Sequence, residues 1–135
     1  MERRARILLV DDDPDFLEAT KTVLESRPYE VIVADGGEAG LQKARAEAPD
    51  LVILDIIMPG VDGFTVCRQL KADPKTERIP VMMLTSLSEK IGETSYSLSD
   101  GMGLEADDFI DKPVRPAELL LRVERILRLR GGGEA

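Results

Sequence analysis

The segment Leu51-Val52-Ile53-Leu54-Asp55-Ile56-Ile57-Met58-Pro59-Gly60-Val61-Asp62-Gly63 joins an unbroken apolar run, a carboxylate and a turn. Four consecutive apolar residues, Leu51 to Leu54, suit a strand covered on both faces rather than one with a wet side. The run ends on Asp55. Met58-Pro59-Gly60 then makes a turn, and Phe64, Val66, Cys67 and Leu70 recur at helical spacing behind Asp62, which suits the helix N-cap. A buried strand that passes through a turn into an amphipathic helix is one unit of a parallel α/β sheet.

The same unit recurs on both sides. Upstream, Ile7-Leu8-Leu9-Val10 is a first strand, and Phe16, Leu17, Ala19, Thr20, Val23 and Leu24 mark the helix after it. Pro14 suits the first turn of that helix, where its missing N–H is no loss. Val31 to Ala34 is a second strand, Gly36-Gly37 a break, and Ala39, Leu41, Ala44 and Ala46 a second helix ending near Pro49. Downstream, the third helix ends near Asp73-Pro74, and Val81-Met82-Met83-Leu84 is a fourth strand followed by Thr85-Ser86. Phe109-Ile110 is a short fifth strand before Lys112-Pro113. The last helix runs from about Pro116 to Leu129, with Leu119, Leu120, Val123, Ile126 and Leu127 inward. Ser86 to Asp108 carries Gly92, Gly101 and Gly103 among many serines, and is expected to be a loop with at most short helical pieces. Right-handed crossovers leave few arrangements of five such units. The expectation is a flavodoxin-like (βα)5 three-layer α/β sandwich, strand order 2-1-3-4-5, over residues 5–130, with residues 131–135 as a flexible tail.

Bulk properties narrow the function. A chain of 135 residues fits one domain with one core. The net charge of −8, from 26 acidic and 18 basic side chains, argues against direct nucleic-acid binding, which needs a basic footprint. The single cysteine, Cys67, excludes an intrachain disulfide and fits a reducing compartment. The N-terminus Met1-Glu2-Arg3-Arg4 is charged, and Ile7 to Val10 is too short for a signal segment or a membrane span, so the expected setting is cytoplasmic. There is no histidine, so a phosphohistidine or a histidine base would have to lie on another molecule.

Polar side chains follow four strands: Asp11-Asp12-Asp13 after the first, Asp55 ending the third, Thr85-Ser86 ending the fourth, and Lys112 after the fifth. In the order 2-1-3-4-5 these ends meet in one crevice, while Asp35 after edge strand 2 contributes least. Converging carboxylates repel and call for a cation. Mg²⁺ fits, because it takes oxygen ligands and binds one or two carboxylates plus a phosphate. Lys112 offers a point charge to a phosphoryl oxygen and Thr85 a hydroxyl to another. Asp55 is placed to act as nucleophile in an in-line displacement.

These residues resemble the response-regulator receiver family of two-component signalling, from about Arg6 to Leu129. The acidic pair is Asp11-Asp12. The phosphoacceptor is Asp55, ahead of Met58-Pro59-Gly60-Val61-Asp62-Gly63. The hydroxyl residue is Thr85, and the lysine is Lys112 in Lys112-Pro113. The resemblance implies Mg²⁺ on Asp11, Asp12, Asp55 and the Ile57 carbonyl, a cis Lys112–Pro113 bond, and a phosphoryl group received from a phosphohistidine. The donor would be a sensor histidine kinase or a histidine phosphotransfer protein. Thr85 and Phe109 would then rearrange as a switch and alter the face made by the segment between strands 4 and 5, strand 5 and the last helix. That face would regulate a downstream protein target, from a monomer or weak dimer. It further implies no enzymatic turnover beyond self-phosphorylation from a donor and slow self-dephosphorylation. Two departures stand out: the switch position is Phe109, which has no hydroxyl, and the segment from Thr85 to Lys112 is longer than the family usually has.

Other chemistries fit these residues less well. A calcium loop through Asp11, Asp13 and Asp15 fails, because Phe16 stands where glycine is required and Thr22 where a bidentate glutamate belongs. A small phosphohydrolase of the haloacid-dehalogenase type would need Thr or Val where Asp15 stands, and an acidic pair after Lys112 rather than Asp107-Asp108 before it. A receiver-like binding module that is never phosphorylated would have lost a matched position, and none is lost. A DNA-binding regulator would need a further domain, to which Gly131-Gly132-Gly133 could lead if the chain is a fragment; if it is complete, output must pass through protein contact. Asp13 and Asp62 read as helix caps, Cys67 as inert packing, and Phe109 as core with or without switching. Asp100, Glu105, Asp107 and Asp108 read as a solvated acidic stretch. Arg115, Arg122, Arg125, Arg128 and Arg130 read as a solvated face, ahead of a docking face.

Overall fold

A computed structural model describes residues 4–85 and 106–130. In chain order the elements are β1 (Ala5–Val10), α1 (Pro14–Glu25), β2 (Tyr29–Ala34), α2 (Gly37–Glu47), β3 (Leu51–Asp55), α3 (Gly63–Ala72), β4 (Val81–Thr85), β5 (Asp108–Asp111) and α4 (Pro116–Arg130). Of the expected loop Ser86–Asp108, residues 86–105 lie outside the described residues, as does the expected tail 131–135, while Asp108 already belongs to β5.

The sheet is parallel throughout, with order β2-β1-β3-β4-β5. Its apolar strands have two buried faces because successive side chains point to opposite sides. Ile7, Leu9, Leu51, Ile53, Met82 and Leu84 pack with Leu17 and Leu24 of α1 and with Leu119 and Val123 of α4. Leu8, Val10, Val52, Leu54, Val81 and Met83 pack with Leu41 and Ala44 of α2 and with Phe64, Val66, Cys67 and Leu70 of α3. This is the expected three-layer α/β sandwich, with one core on each face of the sheet.

The ends of the elements follow from local chemistry. Asp13 caps α1 by accepting from the Asp15 and Phe16 amides, and Asp62 caps α3 by accepting from the Thr65 amide at 2.8 Å. Both edge strands have a carbonyl bonded by a cation from the helix that follows. Lys43 Nζ donates to Val33 O at 2.7 Å, and Arg122 Nη1 to Phe109 O at 3.0 Å, which blunts two otherwise open edges.

Two surface expectations do not hold. Asp107 is not simply solvated: its carboxylate accepts from the Val81 amide at 2.8 Å while its own amide donates to Val81 O, tying the approach to β5 to the start of β4. Asp108 accepts from Arg122 Nη1 at 2.8 Å and from the Phe109 amide. Arg122 also pairs with Glu118 at 2.8 Å, so it is a clasp between α4 and β5 rather than part of a solvated face. Arg115, Arg125 and Arg128 are exposed. Among the described residues no helix is long and apolar enough to cross a membrane.

Candidate functional site

The site forms where β1, β3 and the turn after β5 end together. β1 and β3 run side by side, pairing Val10 with Leu54, so the residues that follow, Asp11 and Asp55, leave the sheet as neighbours. The Asp11 amide donates to Ala34 O at 3.1 Å, which fixes the chain as it leaves β1. Beyond Asp55, the Ile56 amide donates to Leu84 O at 3.0 Å and the Gly63 amide to Ile56 O at 2.8 Å. The turn between them needs Gly60, whose φ is +77°. Gly63 is required by proximity: a Cβ there would sit 2.7 Å from Ile56 Cα and against the Asp55 carbonyl oxygen.

Asp11 is fully buried and both its oxygens are engaged. Oδ1 accepts from the Asp13 amide at 2.9 Å and Oδ2 from Lys112 Nζ at 2.9 Å. Asp55 is 6% exposed, and its Oδ2 lies 3.4 Å from the same ammonium. Asp12 is exposed at the mouth. One carboxylate oxygen from each of Asp11, Asp12 and Asp55 lies within 4.8 Å of the other two. Lys112 arrives from the turn after β5, whose Lys112–Pro113 bond is cis.

Burial and the neighbouring Asp11 charge push the Asp55 carboxyl up to about 6, against the opposing pull of Lys112 and the Ile57 amide. Burial alone would lower the Lys112 ammonium, but its hydrogen bond to Asp11 and the charge of Asp55 outweigh that and raise it. The pocket therefore holds more carboxylate than one lysine neutralises, and its all-oxygen donor set fits a hard divalent cation such as Mg²⁺.

Thr85 ends β4 in register with Asp111, one residue past the Leu84 that pairs with Asp55. Its side chain lies outside the described atoms. Phe109 is partly buried and packs against the core on the α2/α3 face. Ile57 is half exposed beside the pocket. Asp35, at the end of edge strand β2, is outside the carboxylate group, as its position in the strand order implies.

One neighbour was not singled out from the sequence. The Phe16 ring lies under Lys112, with its centroid 4.4 Å from Nζ. Helical spacing marks Phe16 only as apolar. The signal that distinguishes it is its place in the first turn of α1, four residues after Asp12, at the same end of the sheet as the carboxylates.

Known proteins resemble this chain along most of its length. The family model described as the response regulator receiver domain matches residues 7–124. The response regulator PleD of Caulobacter vibrioides is 40% identical over 126 residues, which cover 93% of this chain and 27% of PleD. The DNA-binding dual master transcriptional regulator RpaA of Synechocystis sp. is 42% identical over 123 residues, covering 91% of this chain and 49% of RpaA. The chain thus spans half or less of these two curated relatives. Among solved structures, the CheY-like response regulator receiver domain protein of Methanospirillum hungatei superposes with a TM-score of 0.84 at 29% identity, covering 97% of this chain and 99% of that one. On sequence and fold together, the chain belongs to the response regulator receiver domain family of two-component signalling.

Proposed function

We propose that this chain is a phosphoacceptor signalling domain, in which Asp55 receives a phosphoryl group from a phosphohistidine of a sensor histidine kinase or histidine phosphotransfer protein. The observation that carries the reading is the buried Asp55 carboxylate facing the Lys112 ammonium within the group Asp11, Asp12 and Asp55. With its pKa near 6, Asp55 is ionised at neutral pH and available as a nucleophile.

Asp11, Asp12, Asp55 and the Ile57 carbonyl would hold Mg²⁺. When bound, the ion neutralises charge on the transferring group. Asp55 Oδ attacks phosphorus as the P–N bond of the donor breaks, and the electron pair leaves with the imidazole, which takes up a proton. Lys112 holds one phosphoryl oxygen by charge. The Thr85 hydroxyl, on the neighbouring strand end, donates to another. Hydrolysis of the acyl phosphate at the same site returns the carboxylate, so the chain acts on itself and turns over no free substrate.

The new charge draws Thr85 toward the phosphoryl group and Phe109 inward. The face around β5 and α4 changes, and with it the hold on a downstream protein target. Residues 5–130 form this unit, in a monomer or weak dimer in the cytoplasm. At a net charge of −8 these residues engage protein rather than nucleic acid. RpaA is named as a DNA-binding regulator, and about half of that protein's length lies outside the match.

Phosphoramidate, a small donor with a P–N bond, tests the chemistry. After incubation with it and Mg²⁺, borohydride reduction should convert residue 55 alone to homoserine. Homoserine at another aspartate, or none despite a measured phosphoryl gain, would refute the assignment to Asp55.

A further inference from the structure

The Lys112 ammonium has neighbours of two kinds. Asp11 Oδ2 at 2.9 Å and Asp55 Oδ2 at 3.4 Å are carboxylate oxygens. The Phe16 ring, 4.4 Å from Nζ to its centroid, is neutral. The carboxylates have a competing use, since Asp11 and Asp55 belong to the group suited to a divalent cation. A cation there would take acceptors from the ammonium and repel it. The ring does not compete. Its electron-rich face attracts an ammonium, and it offers a hard metal no oxygen.

The Phe16 backbone is fixed at the start of α1. Phe16 is the third residue of α1, and its amide donates to the capping Asp13 Oδ1 at 3.4 Å. Its ring is only partly buried and forms, with Lys112, Pro113, Val114 and Leu119, part of the wall of a groove of about 520 Å³. Leucine at this position would satisfy the apolar stripe of α1 equally well. What an aromatic ring adds is a face for the lysine.

We propose that Phe16 is a positioning residue for phosphoryl transfer, its ring holding the Lys112 ammonium beside Asp55 when the carboxylates are engaged elsewhere. This rests on the phosphoacceptor reading above. The ring acts through Lys112 and does not touch the transferring group. Its contribution should follow the electron density of the ring and not its apolar volume.

The test replaces Phe16 by mono-, di- and trifluorophenylalanine, and in separate proteins by Phe16→Tyr and Phe16→Leu. Fluorine preserves shape while weakening the ring face. The phosphorylation rate constant is measured with acetyl phosphate at saturating Mg²⁺. It should fall stepwise along the fluorine series, drop about three- to tenfold in Phe16→Leu, and stay within about twofold of the parent in Phe16→Tyr. A second readout needs no donor. The ¹³Cε signal of Lys112, assigned by its loss in Lys112→Arg, should be displaced by the ring current and remain so as Mg²⁺ is added. It should move to the ordinary lysine position in Phe16→Leu. A flat fluorine series in a parent that is phosphorylated overturns the role of Phe16 alone. So does a Lys112 signal that leaves the ring when Mg²⁺ binds. A parent that takes no phosphoryl group overturns the phosphoacceptor reading, and the role in transfer with it.

Discussion

Asp55→Asn should stabilise the protein at neutral pH and lose that advantage in acid. In the folded chain the Asp55 carboxyl rises from 3.8 to about 6, chiefly through burial and the Asp11 charge. A rise of that size corresponds to about 3 kcal/mol between the two protonation states. The folded state holds the Asp55 proton more tightly than the unfolded state, so what Asp55 contributes to stability is greatest below about pH 4. It declines as pH rises through about 6, and the full penalty stands at pH 7. Asparagine carries no charge and escapes that penalty. It also removes one carboxylate from Lys112, which keeps Asp11 at 2.9 Å, so the net gain should be about 1–2 kcal/mol at pH 7. Urea unfolding in chelator at pH 7 should show a higher midpoint for Asp55→Asn with an unchanged slope, and at pH 4 the two midpoints should converge. Millimolar Mg²⁺ should then raise the parent's midpoint and leave Asp55→Asn nearly unmoved, because binding to the folded state alone adds stability. A variant no more stable at pH 7, or equally favoured at pH 7 and pH 4, would show that the site stores no charge repulsion.

Gly63→Ala should cost about 2–3 kcal/mol in urea, since its Cβ would meet Ile56 Cα at 2.7 Å and the backbone would have to shift. Arg122→Ala should cost about 1–3 kcal/mol, and amide exchange should quicken at Phe109, because the bonds to Asp108 and to Phe109 O are lost together. Ala48 ends α2 with φ 49°, so Ala48→Gly should raise the urea midpoint by up to about 1 kcal/mol.

The fold was legible because β1 to β4 carry runs of apolar residues and each helix an apolar stripe, with an aspartate cap on α1 and α3. Handedness left few strand orders, and the expected one predicted that Asp11 and Asp55 would leave the sheet side by side while Asp35 stood apart. Limits were less legible. β2 begins at Tyr29 and β1 at Ala5, outside their apolar runs, because ladder bonds extend past the residues that need burial. Pro49 marked where α2 stops but not that Ala48 would adopt the left-handed conformation to end it. Contacts that depend on how a helix is rotated against the sheet left no trace in spacing. Arg122 looked like one of five arginines until α4 turned it onto Asp108. Asp107 looked solvated because nothing in its neighbours foretells the Val81 amide. The Phe16–Lys112 contact joins residues far apart in sequence, and periodicity cannot separate a ring that packs from a ring that also binds a cation.

Intact mass after incubation with acetyl phosphate and Mg²⁺, beside Asp55→Asn and beside a sample in chelator, tests the central claim most directly. The parent with Mg²⁺ should gain one phosphoryl group, stable in mild acid and lost in base, and the other two samples should gain none. A parent that gains nothing, or an Asp55→Asn protein that gains as much, would contradict it.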